Sequence, residues 1–310
     1  MNQPRGCDAV LIVGFGGPTR AEEIRPFLDN VLRGRSIPRE RYEAVVHHYE
    51  LLGGRSPYND LTMRQADALR ADLARDNLTI PVAVGMRNWQ PYVDDALATL
   101  ARGGARRVLA FIMAAHRSEA SFERYQETIA AAAEKLETRA LEIIYPEPWF
   151  AHPKFIAAAA ARVAGALANF DASERARAQL IFTAHSIPVA MAAASPYVEQ
   201  LTESSRLVAA KLGFDNWTLA FQSRSGSPRE PWLEPDIGAA LRKLGRGASA
   251  IVVPIGFLCD HVEVLYDLDI EAAAIAREAG VRMHRAATVS DHPEFIAMIA
   301  EIVRRRARAA

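Results

Sequence analysis

The sequence predicts an α/β protein made of two similar domains. Eight apolar, strand-length runs alternate with helix-length segments along the 310 residues, which is typical of βαβ units and a parallel sheet. Four runs fall on each side of about residue 148, where three prolines between Pro146 and Pro153 disfavour regular structure. We therefore expect two Rossmann-like domains, 1–148 and 149–310, each with a four-stranded parallel sheet flanked by helices.

The predicted strands are mostly unbroken apolar runs, which suits strands buried on both faces of a parallel sheet. They cover residues 9–13, 80–84, 108–113, 141–145, 180–183, 217–221, 250–258 and 281–289. In open α/β sheets, ligands bind at the carboxyl ends of the strands, so polar residues that follow a run are candidate site residues. A last helix, at about 293–308, can pack back on the first domain.

Composition excludes several classes of protein. Basic and acidic residues balance at 37 each, which argues against a nucleic-acid partner. No window approaches the roughly 18 apolar residues of a membrane span, and the first apolar run is too short for a signal peptide. Cys7 and Cys259 lie far apart and are expected to be buried free thiols. We expect a cytoplasmic monomer without a transmembrane anchor.

A row of acidic residues follows the seventh run. After Asp260 and His261, the carboxylates of Glu263, Asp267 and Glu271 recur every four residues, which on a helix puts them on one face. Such a row can be a solvated helix face whose acids suit the helix dipole. It can also be a partly buried row that attracts a divalent cation or moves protons. The apolar run before it buries the start of the helix and favours the second interpretation.

A histidine, His185, closes the fifth run. A lone histidine after an apolar run is usually a hydrogen-bonded core residue, but in a doubly wound domain His185 and Glu263 would both lie at strand ends facing one cleft. Ser186 follows directly, yet the G-x-S-x-G turn of a hydrolase is missing. The turn Gly14–Pro18 is not a G-x-G-x-x-G fingerprint, and no G-x-x-x-x-G-K-[ST] occurs. Nucleotide-binding interpretations therefore lose their best support.

Basic and aromatic residues cluster after the runs of the first half. Arg33 and Arg35 flank a glycine and Ser56 lies in a second Gly-Arg-Ser-Pro turn, so these segments can grip carboxylates or simply form solvated loops. Several further side chains could contact a flat ligand, although packing or a solvated face explains them as well. These are the cation Arg87, the aromatic residues Trp89, Tyr92 and Trp232, and the hydroxyl pair Ser121 and Tyr125.

Seven separated motifs together resemble the ferrochelatases, enzymes that insert ferrous iron into a porphyrin. They are GFGGP, LRGRSIP, GGRSP, GMRNWQPYVDDAL, TAHSIP, FQSRSGSPREPWLEPD and VPIGFLCDHVEVLYDLDIE, and they span essentially the whole chain. The resemblance implies a chelatase-like fold whose two domains enclose a porphyrin. It makes His185 and Glu263 the catalytic and metal-binding pair at the macrocycle centre. It makes Asp267 and Glu271 a relay for protons or metal.

The polar segment LRGRSIPRERYEAVVHHY resembles the bacterial branch that uses coproporphyrin III. Four propionates on that substrate would give the arginines a physical role. The resemblance implies porphyrin contacts by Phe15, Arg33, Arg35, Ser56, Arg87, Trp89, Tyr92, Ser121, Tyr125 and Trp232. Phe15 stands where this branch often has tyrosine, and Arg87 where many relatives have lysine. The cysteines that bind an iron-sulfur cluster in some members are absent, so we expect no cluster and no prosthetic group; ferrous iron is a substrate.

Three functions remain in competition at this point. The first is a coproporphyrin III ferrochelatase that gives coproheme in haem biosynthesis. The second is a protoporphyrin IX ferrochelatase that gives protohaem, and the third is a non-catalytic tetrapyrrole-binding protein. His185 and Glu263 weigh against the third, because a pure binder has no need of a base and an acid row. Which of the two accepts protons and which binds metal is open.

Overall fold

The computed structural model describes residues 6–35, 37–136, 141–225 and 230–307. Ser36 of LRGRSIP, residues 226–229 of the motif around Trp232 and residue 308 of the predicted last helix lie outside the described residues. The described residues divide into two compact units. Unit 1 takes them from Met1–Met113, Ala120–Pro148 and Ser290–Ala310, and unit 2 from Ala114–Glu119 and Trp149–Val289.

Each unit contains a four-stranded parallel sheet. The strands of unit 1 are β1 (Ala9–Gly14), β2 (Val82–Met86), β3 (Arg107–Ile112) and β4 (Glu142–Ile144), in the order β2-β1-β3-β4. Those of unit 2 are β5 (Gln179–His185), β6 (Trp217–Gln222), β7 (Ser249–Val253) and β8 (Arg282–Arg285), in the order β6-β5-β7-β8. The two units repeat one topology, which confirms the predicted fold class.

Helices connect and flank these strands. In chain order they are α1 (Ile24–Leu32), α2 (Arg39–Leu51), α3 (Tyr58–Ala74), α4 (Val93–Arg102), α5 (Arg124–Glu134), α6 (Pro153–Leu167), α7 (Ala172–Arg177), α8 (Val189–Ala193), α9 (Tyr197–Leu212), α10 (Ile237–Leu244), α11 (Val262–Tyr266), α12 (Ala273–Ala279) and α13 (Pro293–Ala307). A 3₁₀ turn covers Ala21–Glu23, and π-helical turns cover Glu119–Glu123 and Asp267–Ala272. Within the described ranges, every helix is too short or too polar to span a bilayer.

Two strands end earlier than the sequence predicts. The predicted strand 250–258 stops at Val253 because Pro254 has no N–H for the ladder. The chain then turns back onto β5, where the Gly256 N–H donates to the Thr183 carbonyl at 3.0 Å. A Cβ at Gly256 would lie 2.5 Å from that of Ala184, so only glycine fits this approach. The predicted strand 281–289 is observed only as Arg282–Arg285, and the Ala286 N–H makes one further hydrogen bond, to the Val252 carbonyl of β7 at 2.8 Å.

The last helix, α13, packs against α3 within unit 1. Phe295, Met298 and Ala300 on α13 are fully buried, and the Arg304 guanidinium donates to the Asp72 carboxylate at 2.8 Å. Residues 114–119, by contrast, belong to unit 2 rather than to the first predicted domain. The boundary at 148 therefore differs from the compact units of the structure in this short segment.

Candidate active site

His185 and Glu263 lie together at the strand-end edge of unit 2. His185 is the last residue of β5, Glu263 lies in the first turn of α11, and His185 Nε2 is 3.5 Å from Glu263 Oε1. The other ring nitrogen, Nδ1, lies 2.5 Å from the Ser186 carbonyl oxygen, which can only accept a hydrogen bond. Nδ1 therefore carries a proton, and in the neutral ring the Nε2 lone pair is available on the Glu263 side.

The surroundings of His185 favour its protonated form. Burial of the imidazole acts to lower its pKa, but Glu263, the Ser186 carbonyl and Asp267 outweigh burial, so the pKa of His185 is raised above its ordinary value. The Tyr197 hydroxyl donates to the His185 backbone carbonyl at 3.0 Å and fixes the strand end. In the part of the chain that the structure describes, no three His, Cys, Asp or Glu side chains form a group able to hold a metal ion.

The acid row lies on one continuous helical run made of α11, the π-helical turn Asp267–Ala272 (the π segment) and α12. His261 caps its start, since its Nδ1 accepts from the Val264 N–H at 3.3 Å. An apolar row faces the core of unit 2, and each of its members is at most 1% exposed: Val264, Leu268, Ala272 and Ala276. The carboxylates of Glu263, Asp267 and Glu271 each precede one of these buried residues. Core packing therefore fixes the acid row at the edge of the core.

Asp267 has a strongly raised pKa. Burial, together with the negative charges of Glu263 and Glu271, raises the pKa of Asp267 to about 7, although a hydrogen bond from the Ser223 hydroxyl acts to lower it. Ser223 holds this position from a left-handed backbone conformation with a φ of 61°. Asp267 can therefore both accept and release a proton near neutral pH. Sequence reasoning missed Ser223, which lies in the motif FQSRSGSPREPWLEPD.

A cavity of about 210 Å³ opens beside the acid row within unit 2. The Gln222 side chain also lines it and donates through Nε2 to the Glu263 backbone carbonyl at 2.8 Å. The predicted porphyrin wall Trp232 lies here as well. The lining thus combines these groups with Ser223, Asp267, Glu271 and Ile275.

Unit 1 holds a cluster of arginines, Arg33, Arg35 and Arg87. The Arg33 guanidinium donates to the Arg87 backbone carbonyl at 3.2 Å, and Arg87 Nε donates to the Thr128 hydroxyl at 3.2 Å. Among the described residues, no carboxylate lies in ion-pair or hydrogen-bond contact with any of the three. Burial and the neighbouring guanidiniums, including that of Arg124, lower the pKa of Arg87. A cationic cluster without a carboxylate partner among the described residues is suited to binding an anion.

Asn88 organises the arginine cluster and was missed by sequence reasoning. The residue is fully buried, and its Oδ1 accepts from Arg33 at 3.2 Å and, over a longer contact of 3.5 Å, from Arg87. Its Nδ2 donates to the Phe15 carbonyl at 3.2 Å and so ties the cluster to the turn after β1. A neutral amide oxygen orients two cations without cancelling their charge. The available signal was a polar residue directly after Arg87 at the end of β2.

Four predicted porphyrin contacts have partners inside unit 1. The Trp89 indole donates to Glu23 at 2.9 Å. The Tyr92 hydroxyl accepts from Asn30 at 3.0 Å. Ser56 is 5% exposed, and its hydroxyl accepts from the Tyr58 N–H at 3.3 Å. The Phe15 ring contacts Phe27 edge-on, with centroids 6.2 Å apart. The structure therefore gives each of these four residues a structural role.

Tyr125 and Ser121 stay close in sequence but lie in different local structures. Tyr125 is in the first turn of α5, is 8% exposed, and lies with its ring 5.8 Å from the Arg87 guanidinium carbon. Ser121 lies in the π-helical turn Glu119–Glu123 and is partly exposed. Tyr125 thus lies beside the arginine cluster.

The fold and the His185–Glu263 pair together define a chelatase-like protein. Solved structures with this architecture include SirB from Bacillus subtilis with Fe3+, at a TM-score of 0.61 and 14% identity, covering 96% of this chain and 95% of that one. CbiX, titled as the terminal enzyme for biosynthesis of siroheme in denitrifying bacteria, has a TM-score of 0.52 and 17% identity, covering 96% and 98%. At these identities the likeness shows the fold.

Sequence comparison identifies the family. The Ferrochelatase family model matches residues 7–307. A ferrochelatase of Rhodopirellula baltica is 42% identical over 302 residues, which is 96% of this chain and 86% of that protein. The coproporphyrin III ferrochelatase of Mycolicibacterium smegmatis is 42% identical over 301 residues, 96% and 88% of the two chains. The chain belongs to the ferrochelatase family.

Proposed function

We propose that this chain inserts ferrous iron into coproporphyrin III and forms coproheme in haem biosynthesis. The observation that carries the proposal is the His185–Glu263 pair, 3.5 Å apart, with the histidine tautomer set by the Ser186 carbonyl. This pair offers an imidazole nitrogen and a carboxylate oxygen, which are ligands that ferrous iron accepts. The same two groups can take up protons. Membership of the ferrochelatase family supports the assignment.

Iron insertion requires that two pyrrole protons leave as the metal enters. Each proton goes to a base, and neutral His185 can take one at Nε2 while Glu263 takes one at its carboxylate. Asp267, whose pKa is raised to about 7, is suited to receive a proton from this pair and pass it on. Glu271 is solvent-exposed and borders the same cavity, so the row provides a path to water.

The arginine cluster supports coproporphyrin over protoporphyrin. Coproporphyrin III carries four propionates and protoporphyrin IX carries two. Arg33, Arg35 and Arg87 have no carboxylate partner among the described residues, and a guanidinium binds a carboxylate through two parallel hydrogen bonds. A substrate with more carboxylates makes fuller use of these groups. Relatives named coproporphyrin III ferrochelatase at 41–42% identity agree with this preference.

The test is anaerobic insertion of ferrous iron by the purified protein, followed by absorbance, with the two porphyrins compared side by side. We expect a higher kcat/KM for coproporphyrin III, and loss of turnover in His185→Ala with porphyrin binding retained. A preference for protoporphyrin IX would make the substrate assignment wrong. Tight binding of both porphyrins without turnover would favour a tetrapyrrole-binding protein.

We further infer a cytoplasmic monomer that carries no prosthetic group. The polar segment LRGRSIPRERYEAVVHHY supports a monomer free of the membrane, and the sequence has two cysteines, fewer than the four thiolates that usually hold an iron–sulfur cluster. Light scattering of the purified protein would give its mass, for which we expect one chain of 34.0 kDa. Analysis for iron and acid-labile sulfide would detect a cluster, and a stoichiometric amount of both would contradict the proposal.

A further inference from the structure

One arginine of unit 2 is held by two carboxylates directly beside the acid row. Arg285, at the end of β8, binds Asp269 bidentately, with Nε–Oδ1 at 2.6 Å and Nη2–Oδ2 at 2.9 Å. Its third nitrogen, Nη1, lies 3.2 Å from Asp260 Oδ1. The Arg285 side chain is 13% exposed, so its guanidinium is largely removed from solvent. Bidentate pairs of this kind impose geometry as well as energy.

The two carboxylates lie at the start and in the middle of the segment that carries the acid row. Asp260 comes directly before His261, whose ring caps the helix bearing Glu263. Asp269 lies inside the π segment, between Asp267 and Glu271. A single guanidinium therefore ties the start of the helical run to its π-helical turn.

The π-helical turn determines where the carboxylates point. In an α-helix with 3.6 residues per turn, residues four apart are offset by about 40°, so Glu271 would be rotated about 80° from Glu263. A π-helical turn closes its hydrogen bonds from i to i+5 and holds more residues per turn, so it reduces this offset. The turn therefore keeps the acid row in line. π-helical turns are rare in helices and concentrate at functional sites. The contacts that hold this turn in place therefore bear on the position of the acid row.

We propose that Arg285 is a positioning residue for metal insertion: it holds the π segment so that Asp267 and Glu271 stay in line with Glu263. The inference rests on the proposed function. Arg285 contacts none of the three row carboxylates in the described structure, so it acts through Asp260 and Asp269. Lysine at this position would keep the charge but could not form the three-point contact.

A second arginine on the same strand provides the matched control. Arg282 also lies on β8 and pairs with Glu174 of α7, with its guanidinium 5.6 Å from the Phe170 ring. This pair touches neither the π segment nor the loop before α11. Arg282→Lys therefore makes the same chemical change on the same strand, away from the acid row.

The experiment compares Arg285→Lys, Asp269→Asn and Arg282→Lys in the full chain. Mutation of a residue that orients metal ligands without binding the metal itself typically lowers metal affinity or activity by about 10- to 100-fold. We therefore expect the KM for ferrous iron to rise about tenfold in Arg285→Lys and in Asp269→Asn. The KM for coproporphyrin III should stay within about twofold. The double variant of Arg285→Lys and Asp269→Asn should be no worse than Arg285→Lys alone, because the Arg285–Asp269 pair is already disrupted in that variant. Arg282→Lys should leave both KM values unchanged.

Three outcomes would overturn the proposal: an unchanged KM for iron in Arg285→Lys, an equal rise in Arg282→Lys, or an equal rise in the KM for porphyrin. If Arg285→Lys does not fold, Asp269→Asn carries the same test. If the parent protein inserts no iron, the proposed function fails. The positioning role is then judged by titration with Co2+ alone, followed by absorbance, where equal affinity of the parent and Arg285→Lys would overturn it.

Discussion

The arginine cluster of unit 1 and Arg285 of unit 2 have opposite kinds of hydrogen-bond acceptor. Arg33 and Arg87 donate to a backbone carbonyl, a hydroxyl and the Asn88 amide, all of them neutral. Arg285 donates to the carboxylates of Asp260 and Asp269. Neutral acceptors orient a guanidinium and leave its charge available, whereas carboxylates orient it and cancel the charge. The first arrangement is suited to binding an anion, and the second to holding a segment of backbone in place.

The carboxylates of unit 2 show the same division. Asp260 and Asp269 are paired with Arg285, while no Arg or Lys lies in contact with Asp267 or Glu271 among the described residues. Between residues 260 and 271, some acids therefore hold the backbone and others remain available for protons or a cation. The partners of a charged residue, more than its type, decide which role it takes. The following predictions change these partners or charges one at a time.

The largest effect is expected from Glu263→Gln. The change keeps the shape of the side chain but removes both a proton acceptor and the charge beside His185. General acid–base groups contribute about 10²–10⁴-fold, so we expect kcat for iron insertion to fall by about that factor. Porphyrin affinity, measured by quenching of protein fluorescence, should change little. Glu203→Gln on α9, which removes an exposed partner of Arg206, is the control and should keep full activity.

A smaller effect, confined to unit 1, is expected from Asn88→Asp. A carboxylate at this buried position would pair with Arg33 and Arg87 and cancel charge that the amide leaves available. We expect the KM for coproporphyrin III to rise about tenfold, equivalent to about 1.4 kcal/mol, and the KM for protoporphyrin IX to rise less. The KM for iron should not change.

Asn88→Leu distinguishes the effect of an added negative charge from the effect of losing the Asn88 hydrogen bonds. It removes the amide but adds no charge, so coproporphyrin affinity should still fall with added salt, whereas in Asn88→Asp the salt dependence should flatten. If the leucine variant bound coproporphyrin III more weakly than the aspartate variant, the role of Asn88 would be purely structural.

The smallest effect concerns stability and pH, through Asp267→Asn. Because the pKa of Asp267 is raised from 3.8 to about 7 in the folded state, the folded chain binds more protons than the unfolded chain between these values. The stability contributed by this group is therefore lost as pH rises from about 4 to about 7. Asparagine removes this dependence. The Tm of the variant should match that of the parent near pH 4 and exceed it by about 3 °C at pH 7.5.

Calorimetry of the protein without iron would check this profile. Above pH 7 the difference in Tm should level off, because Asp267 is then ionised in both states. A variant that was less stable than the parent at pH 7.5 would show that the Ser223 hydrogen bond outweighs the cost of burying the carboxylate.

Much of this architecture could be predicted from local sequence. Buried parallel strands appear as apolar runs, and because their carboxyl ends share one edge, His185 and Glu263 could be placed together before any coordinates. The extent of β7 was wrong because apolar residues continue past Pro254, although the proline itself marks the end. The partners Asn88, Ser223 and Arg285 were missed because their importance depends on contacts with residues distant in sequence.

The spacing of apolar residues in the sequence indicates the π segment. Its apolar row recurs strictly every four residues, at Val264, Leu268, Ala272 and Ala276, whereas an ordinary surface helix mixes spacings of three and four. A repeat longer than 3.6 residues requires a wider turn if the row is to stay buried. The acidic row has the same spacing. Two rows with a strict period of four can therefore indicate a π-helical turn before a structure is known.

The placement of α13 in unit 1 affects the order in which the chain can fold during synthesis. Unit 2 has all its strands once β8 has been made, and domains generally fold as units while the chain emerges. Unit 1 begins first but lacks the buried side chains of Phe295, Met298 and Ala300 until α13 follows. The half of the protein that is translated first is therefore completed last, and it must wait, with the apolar face of α3 uncovered, while the whole of unit 2 is made.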